Sequence, residues 1–138
     1  MHRNLSNNTR TYLIIGSEGF IGSKACIYLA NSGNPIYAID IPKAKGKSPY
    51  SNSINNHPMI KAVYLDNLSE INFQDLTDEV TIIYTVALSN HLLENNNLSK
   101  GTIPDLKLIS DLIEALPEGL NPDISYLSSS AVYGPITG

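Results

Sequence analysis

Cysteine is almost missing from this sequence, since Cys26 is the only one among 138 residues. A single cysteine excludes an intramolecular disulfide and permits a reducing compartment. No histidine, cysteine or acidic residues follow one another with the spacing of zinc ligands, so we expect no metal site. Because Cys26 falls on a predicted helix, we expect it to pack as a small apolar side chain.

Positive charge is also scarce, with 9 Lys and Arg against 13 Asp and Glu and a net charge of -4. Nucleic-acid-binding proteins usually carry a basic surface, so nucleic acid is not an expected partner. Long apolar runs are missing too, because segments such as 82–88 are too short to cross a bilayer. Residues 1–11 are polar and lack the apolar segment of a signal peptide. We therefore expect a flexible N-terminal arm on a cytoplasmic protein without a membrane partner.

The remaining chain, residues 12–138, has the length of one domain. Short apolar runs alternate with helical patterns along most of it, which predicts βαβ units and a parallel sheet. Because such crossovers are right-handed, we predict an α/β fold with a doubly wound sheet in three layers. The predicted strands are Tyr12–Ile15, Ile36–Ile39, Lys61–Leu65, Val80–Leu88 and Ile124–Leu127.

Two helices are predicted clearly, over Phe20–Ser32 and Pro104–Leu116. A weaker helical pattern covers Ser69–Leu76. Residues 41–58 show little periodicity, so we expect an irregular connection that either is mobile or covers a ligand. The apolar side of the last helix is predicted to contain Leu106, Ile109, Leu112, Ile113 and Leu116.

Three glycines spaced G-x-x-G-x-x-G lie between the first predicted strand and the first helix, which is the context of a dinucleotide-binding turn. The first permits the tight turn out of the strand, the second lets a pyrophosphate approach, and the third allows close helix packing. Free N–H groups at the helix start would face the anion. The alternative is a glycine-rich turn without a ligand. The predicted cofactor contacts here are Gly16, Gly19, Phe20, Ile21 and Gly22.

An acidic residue, Asp40, ends the second predicted strand 18 residues after Gly22. This is close to the offset of about 20 residues at which a ribose-binding acid is expected. Its carboxylate would accept hydrogen bonds from the adenosine ribose and would repel a 2′-phosphate, which favours NAD over NADP. The alternative is a plain turn residue. Three lysines at positions 43, 45 and 47 either reduce that repulsion or belong to a solvated loop, and we favour the loop.

The stretch 19–23, Gly-Phe-Ile-Gly-Ser, resembles the glycine motif of extended short-chain dehydrogenases/reductases, the superfamily of NAD-dependent nucleotide-sugar epimerases and dehydratases. The resemblance covers nearly all of residues 12–135. It implies a Rossmann-type fold, NAD as cofactor and a nucleotide-sugar substrate.

Further segments carry the same resemblance and imply further cofactor contacts. Residues 64–68 resemble the end of the family's third strand, and residues 83–88 resemble its fourth. Thr85 departs from the pattern, because histidine is common there. The resemblance implies that Asp66 reaches the adenine, that Asn67 next to it is a further cofactor contact, and that Val86 and Ala87 lie under the nicotinamide ribose.

The resemblance also implies a catalytic serine. Residues 128–134 match the family's Ser-Ser-x-x-Val-Tyr-Gly segment, in which Ser129 would hydrogen-bond the substrate oxygen that is oxidised or reduced. The family's general acid/base is the tyrosine of Tyr-x-x-x-Lys, and none of the 8 tyrosines here has lysine four residues on. We therefore expect a sheet that is incomplete at its C-terminal end and a chain that is inactive alone. A plain strand-end turn is the alternative for the serines.

The leading hypothesis is the NAD-binding part of a nucleotide-sugar epimerase or dehydratase, for which a homodimer is among the expected partners. One alternative is a catalytically inactive regulatory module that binds NAD. Another is a truncated fragment without function, which would expose an apolar sheet edge. The sequence does not distinguish epimerase from dehydratase or reductase.

Overall fold

The structure, a computed structural model, describes residues 9–85 and 98–126. Within these ranges, five strands alternate with three α-helices. The strands are β1 (Arg10–Ile15), β2 (Ile36–Asp40), β3 (Ile60–Tyr64), β4 (Glu79–Tyr84) and β5 (Asp123–Tyr126). The helices are α1 (Phe20–Asn31), α2 (Ser51–Asn55) and α3 (Leu98–Ala115). Single 3-10 turns cover Pro42–Ala44 and Leu68–Glu70.

All five strands join one sheet in the order β3-β2-β1-β4-β5, and each neighbouring pair is parallel. Strands β2 and β3 extend the sheet to one side of β1, and β4 and β5 extend it to the other. The strand order therefore reverses between β1 and β4, and a crevice opens there at the carboxyl ends of the strands. The predicted α/β, Rossmann-type parallel sheet is confirmed.

Helices cover both faces of the sheet. Successive side chains of a strand point to opposite faces, so neighbouring residues of β1 belong to different cores. Leu13 of β1 packs in one core with Leu112 of α3. Its neighbour Ile14 packs in the other core with Cys26 of α1 and Ile54 of α2. Full burial of one such side chain contributes roughly 1.5–3 kcal/mol. The predicted three-layer arrangement is therefore confirmed.

The single cysteine belongs to the core on the α1 side. Cys26 is 0% exposed, and burial raises the pKa of its thiol to about 12, with a further contribution from the carboxylates of Glu18 and Asp40. The thiol is therefore protonated at neutral pH, and Cys26 packs as a small apolar side chain, as predicted.

The connection between β2 and β3 contains more helix than the sequence indicates. The predicted loop over residues 41–58 is wrong in part, because a 3-10 turn and α2 both lie within it. Ile54 is 0% exposed and anchors α2 in the core. A five-residue helix is too short to form on its own or to show periodicity, so docking on the sheet stabilises it.

The weak helix predicted over Ser69–Leu76 is wrong. The 3-10 turn at Leu68–Glu70 is followed by irregular chain, with Asp75 at a φ of 59°. The hydroxyl of Tyr37 replaces helical hydrogen bonding here, because it accepts from the N–H of Gln74 at 2.8 Å and donates to its carbonyl at 2.7 Å. A residue of β2 thus satisfies backbone groups that a local helix would have paired.

The first strand begins two residues before its predicted start, so Arg10 and Thr11 belong to the sheet and not to the arm. The guanidinium of Arg10 donates to Glu79 at 2.6 Å and to Asp123 at 2.9 Å. These bonds join β1 to the ends of β4 and β5, which explains why the strand reaches this far.

The last helix also differs from the prediction at its start. α3 begins at Leu98, six residues before the predicted start at Pro104. Ile113 was expected on its apolar side, but 41% of this residue is exposed, whereas Leu112 is fully buried.

No helix in residues 9–85 and 98–126 is long and apolar enough to span a membrane.

The contact between α1 and the end of β1 depends on a glycine. A Cβ atom built on Gly22 would lie 2.0 Å from the carbonyl oxygen of Gly16 and 3.0 Å from Oγ1 of Thr85. Such a separation from a backbone oxygen is impossible, so the helix could approach the strand this closely only with glycine at position 22. This agrees with the packing role predicted for Gly22.

We expect Gly22→Ala to lower the free energy of unfolding by about 3 kcal/mol, because the backbone of α1 must move away from Gly16. Gly33→Ala is the matched control, since Gly33 has a φ of +93° but open space around a Cβ. Left-handed strain alone costs about 1 kcal/mol there. Urea unfolding of both variants measures the difference, and equal losses would contradict the close contact.

Candidate functional site

The glycine turn leaves β1 through a tight backbone arrangement at the carboxyl edge of the sheet. Gly16 has a φ of +94°, which favours glycine. The N–H groups of Gly16 and Ser17 both donate to the carbonyl of Ile39 on β2, at 2.8 and 3.1 Å. The N–H of Gly19 donates to the carbonyl of Gly16 at 2.9 Å. The turn is therefore fastened to β2 and folded back on itself.

The N-terminus of α1 follows this turn directly. Gly19 is its N-cap residue and makes no side-chain capping bond. The carbonyl of Gly19 accepts from the N–H of Ser23 at 2.9 Å, so the N–H groups of Phe20, Ile21 and Gly22 belong to the unpaired first turn. Together with the helix dipole, they form a place where an anion is stabilised.

Asp40, at the end of β2, faces the same turn. One carboxylate oxygen accepts from the N–H of Glu18 at 2.8 Å, and the other accepts from the N–H of Ile41 at 2.8 Å. These bonds fix the orientation of the carboxylate. Each oxygen of a carboxylate can accept a second hydrogen bond, so Asp40 retains acceptor capacity for a ligand hydroxyl.

A cavity of about 320 Å³ brings the turn and the acid together at the crevice between β1 and β4. Its lining residues are Gly16, Glu18, Gly19, Asp40, Ala44, Lys47 and Thr85. A smaller, mainly apolar hollow of about 110 Å³ lies on the other side of Asp40, between the ends of β2 and β3 and the helix α3. The two spaces share Asp40, so a ligand with a polar and an apolar part could occupy both.

The two cofactor contacts predicted after the third strand, Asp66 and Asn67, lie in different surroundings. Asp66 is exposed and lines the smaller hollow beside Leu65. The side-chain oxygen of Asn67 accepts from the N–H of Ser69 at 3.1 Å and from its hydroxyl at 2.7 Å. Asn67 thus caps the 3-10 turn after β3 and is not among the residues that line this hollow.

The end of β4 is joined to the glycine turn by Thr85. Its hydroxyl donates to the carbonyl of Ile15 at 2.7 Å, and its N–H donates to the same carbonyl at 3.0 Å. Three predicted site residues, Val86, Ala87 and Ser129, lie outside the described residues. In the described part of the chain, no three His, Cys, Asp or Glu side chains cluster in a way that could hold a metal ion.

Glu18, the residue before the second glycine of the turn, was not among the predicted site residues. It is only 7% exposed. Its carboxylate accepts from the N–H of Ser48 at 2.9 Å, the hydroxyl of Ser51 at 2.7 Å and the hydroxyl of Tyr64 at 2.7 Å. Because Ser48 and Ser51 belong to the β2–β3 connection, Glu18 fastens that connection to the glycine turn.

Charge is retained on Glu18 in spite of its burial. Burial raises the pKa of this carboxyl, but hydrogen bonds from the backbone of Ser48, from Tyr64, from Ser51 and from the backbone of Gly46 outweigh that effect. The result is a pKa below the ordinary value of 4.5. Burial also raises the pKa of Tyr64, so its phenol stays protonated and donates to Glu18.

One signal in the sequence points to this network. A carboxylate inside a glycine turn must be solvated or paired, since burial of an unpaired charge is very costly. The hydroxyl and N–H donors that satisfy it, however, lie 30 to 46 residues away along the chain. Only the fold brings them to Glu18.

Comparison with known families finds one match that covers most of the chain. A model described as the NAD dependent epimerase/dehydratase family matches residues 12–138. The matched range contains every predicted site residue, from Gly16 to Ser129. Comparison with curated proteins finds no match.

We expect Glu18→Gln to lower the free energy of unfolding at pH 7 by about 2 kcal/mol, because neutral hydrogen bonds replace charge-assisted ones. A carboxyl with a lowered pKa stabilises the fold above its unfolded value, and this contribution is lost as the pH falls through the folded value. The difference between wild type and Glu18→Gln should therefore be largest above pH 4.5 and shrink below it. Urea unfolding at several pH values measures it, and a difference independent of pH would contradict a charged Glu18.

Proposed function

This chain belongs to the NAD-dependent epimerase/dehydratase family, and we propose that it binds NAD for transient hydride transfer at a hydroxyl of a nucleotide sugar. The observation that carries the proposal is the 320 Å³ cavity in which the glycine turn and the carboxylate of Asp40 converge. An anion site and a ribose acceptor at one cleft match the two polar parts of a dinucleotide.

The fit of a dinucleotide is supported by the shape of the turn as well as by its donors. A Cβ on Gly19 would lie 3.2 Å from the carbonyl oxygen of Gly16, so a side chain here would crowd the backbone of the turn. The pyrophosphate would lie against the unpaired N–H groups of Phe20 and Ile21 at the start of α1. In this arrangement, Gly16, Gly19 and Gly22 shape the turn and contribute no side chain.

The adenosine part would use the other end of the cleft. Asp40 would accept from the ribose hydroxyls, and the apolar hollow beside it would hold the adenine, with Asp66 at its rim. A 2′-phosphate would stand next to the carboxylate of Asp40, and like charges at contact distance repel. We therefore propose NAD rather than NADP.

In the proposed reaction, the cofactor accepts the hydride and residues of the chain bind the substrate and the cofactor. Bound NAD supplies a reversible hydride acceptor. Following the family pattern, we propose that Ser129 donates a hydrogen bond to the substrate oxygen, and that Val86 and Ala87 lie at the nicotinamide ribose. The family resemblance alone supports these three roles.

The cofactor assignment is tested by calorimetric titration of NAD and NADP into wild type and Asp40→Ala. Wild type should bind NAD and discriminate against NADP. Loss of a charged hydrogen-bond acceptor typically weakens binding by about 1.5–3 kcal/mol, which corresponds to a loss of NAD affinity of roughly tenfold or more. NADP affinity should not fall in parallel, because the repulsion disappears with the carboxylate.

Asp40 also pairs with two backbone N–H groups, so the variant's fold must be checked by thermal unfolding. Asp40→Asn is the conservative control, because it keeps one oxygen acceptor without the charge. Equal loss of affinity for both cofactors would indicate general damage to the cleft. A folded wild type that binds neither cofactor would contradict the proposed function.

A further inference from the structure

The carboxylate of Glu18 holds the chain directly after one lysine. The N–H of Ser48 donates to it at 2.9 Å, and the backbone of Gly46 helps to lower the pKa of this carboxyl. Between these two residues stands Lys47, whose own N–H donates to the carbonyl of Ala44 at 3.0 Å. The backbone around position 47 is therefore held by two hydrogen bonds, from Lys47 to Ala44 and from Ser48 to Glu18.

This arrangement places Lys47 beside the glycine turn. Lys47 lines the 320 Å³ cavity, and it also lines a second cavity of about 280 Å³ next to Phe20 of α1. Both cavities are also lined by Glu18 and Gly19. Lys47 is therefore next to the glycine turn in both cavities.

The charges around the larger cavity favour a cation. Its lining includes two carboxylates, Glu18 and Asp40, and the proposed ligand brings a pyrophosphate with two further negative charges. Among the described residues that line this cavity, Lys47 alone is positively charged. An ammonium group at this place would offset the repulsion that the carboxylates exert on the phosphates.

The neighbouring lysines are engaged elsewhere or lie outside this lining. The ammonium group of Lys45 lies 5.2 Å from the centre of the Tyr64 ring, and that of Lys24 lies 4.2 Å from the centre of the Phe20 ring. Lys43 is exposed and is not among the residues that line either cavity. The sequence gives no reason to distinguish lysines 43, 45 and 47. In the fold, Lys47 lines both cavities, whereas Lys43 and Lys45 line neither.

We infer that Glu18 is a positioning residue, that its buried carboxylate holds Lys47 beside the glycine turn, and that Lys47 binds the pyrophosphate of the cofactor. The inference rests on the proposed function, since it assigns a role at the same NAD site. It adds to the glycine turn a phosphate contact from the β2–β3 connection.

The first test compares ligands with and without phosphate on the full 138-residue chain. Lys47→Ala should weaken NAD binding about fivefold at low salt, and less at high ionic strength, because the contact is electrostatic and partly exposed. Binding of adenosine, followed by NMR chemical shifts, should not change. Lys43→Ala removes the same charge outside the cleft and should leave NAD affinity as in wild type.

Each other outcome of this comparison is informative. An equal effect of Lys43→Ala, or an equal loss of adenosine binding, would contradict a phosphate contact at Lys47. A much larger loss for NADP than for NAD would assign Lys47 to a 2′-phosphate and overturn the pyrophosphate assignment. Absence of NAD binding by folded wild type would contradict the proposed function itself, whereas normal wild-type binding with an unaffected Lys47→Ala contradicts this inference alone.

The second test asks whether Glu18 acts through Lys47. Glu18→Ala should weaken NAD binding by a factor similar to that of Lys47→Ala, and the double variant should be no weaker than the weaker single variant. Glu18→Gln should restore part of the affinity, because an amide can still accept from the N–H of Ser48. Additive effects would show that Glu18 does not position Lys47.

A milder variant keeps the test usable if Glu18→Ala does not fold. Ser51→Ala removes the 2.7 Å bond to Glu18 and a long 3.5 Å bond from the side chain of Asn55, which also donates to the backbone carbonyl of residue 51. Limited trypsin digestion should then cleave faster after Lys47 than in wild type, while cleavage after Lys107 on α3 stays the same. Unchanged cleavage after Lys47 in a folded Ser51→Ala, together with unchanged NAD affinity, would overturn the positioning role.

Discussion

The contact between the backbone of Gly16 and the first turn of α1 leaves no space for a side chain, and the candidate site depends on it. A Cβ at position 22 would lie 2.0 Å from the carbonyl oxygen of Gly16. Thr85 closes the same region from β4 through its 2.7 Å bond to Ile15. Because α1 begins at this contact, its unpaired N–H groups are held above the carboxyl ends of the strands, where the crevice of the sheet opens.

Two carboxylates next to an anion site would be unfavourable if they were not already paired. Asp40 accepts from two backbone N–H groups, and Glu18 accepts from a backbone N–H and two hydroxyls. These donors offset part of the local negative potential. The same bonds join β2 and the β2–β3 connection to the glycine turn. One hydrogen-bond network therefore both pairs the two carboxylates and holds the elements of the cleft in place.

Much of the fold was predictable because its determinants are local. Apolar runs of strand length and the alternation of strands with helices indicate a parallel sheet, and the structure confirms it. The predictions that are wrong lie where residues distant in the sequence determine the backbone conformation. Tyr37 pairs with Gln74 and replaces a helix over Ser69–Leu76, and burial of Ile54 stabilises α2 within a stretch that lacks periodicity.

The sequence by itself determined the glycine turn and the acid at the end of β2, because both depend on residue spacing along two adjacent elements. It also determined the class of fold, since hydrophobic periodicity acts within single strands and helices. Only the tertiary structure decided that Glu18 is buried and paired, and that Lys47 rather than its neighbouring lysines borders the cleft. The physical reason is sequence distance: the partners of Glu18 lie 30, 33 and 46 residues away, and a hydrogen bond between such residues exists only after the sheet has assembled.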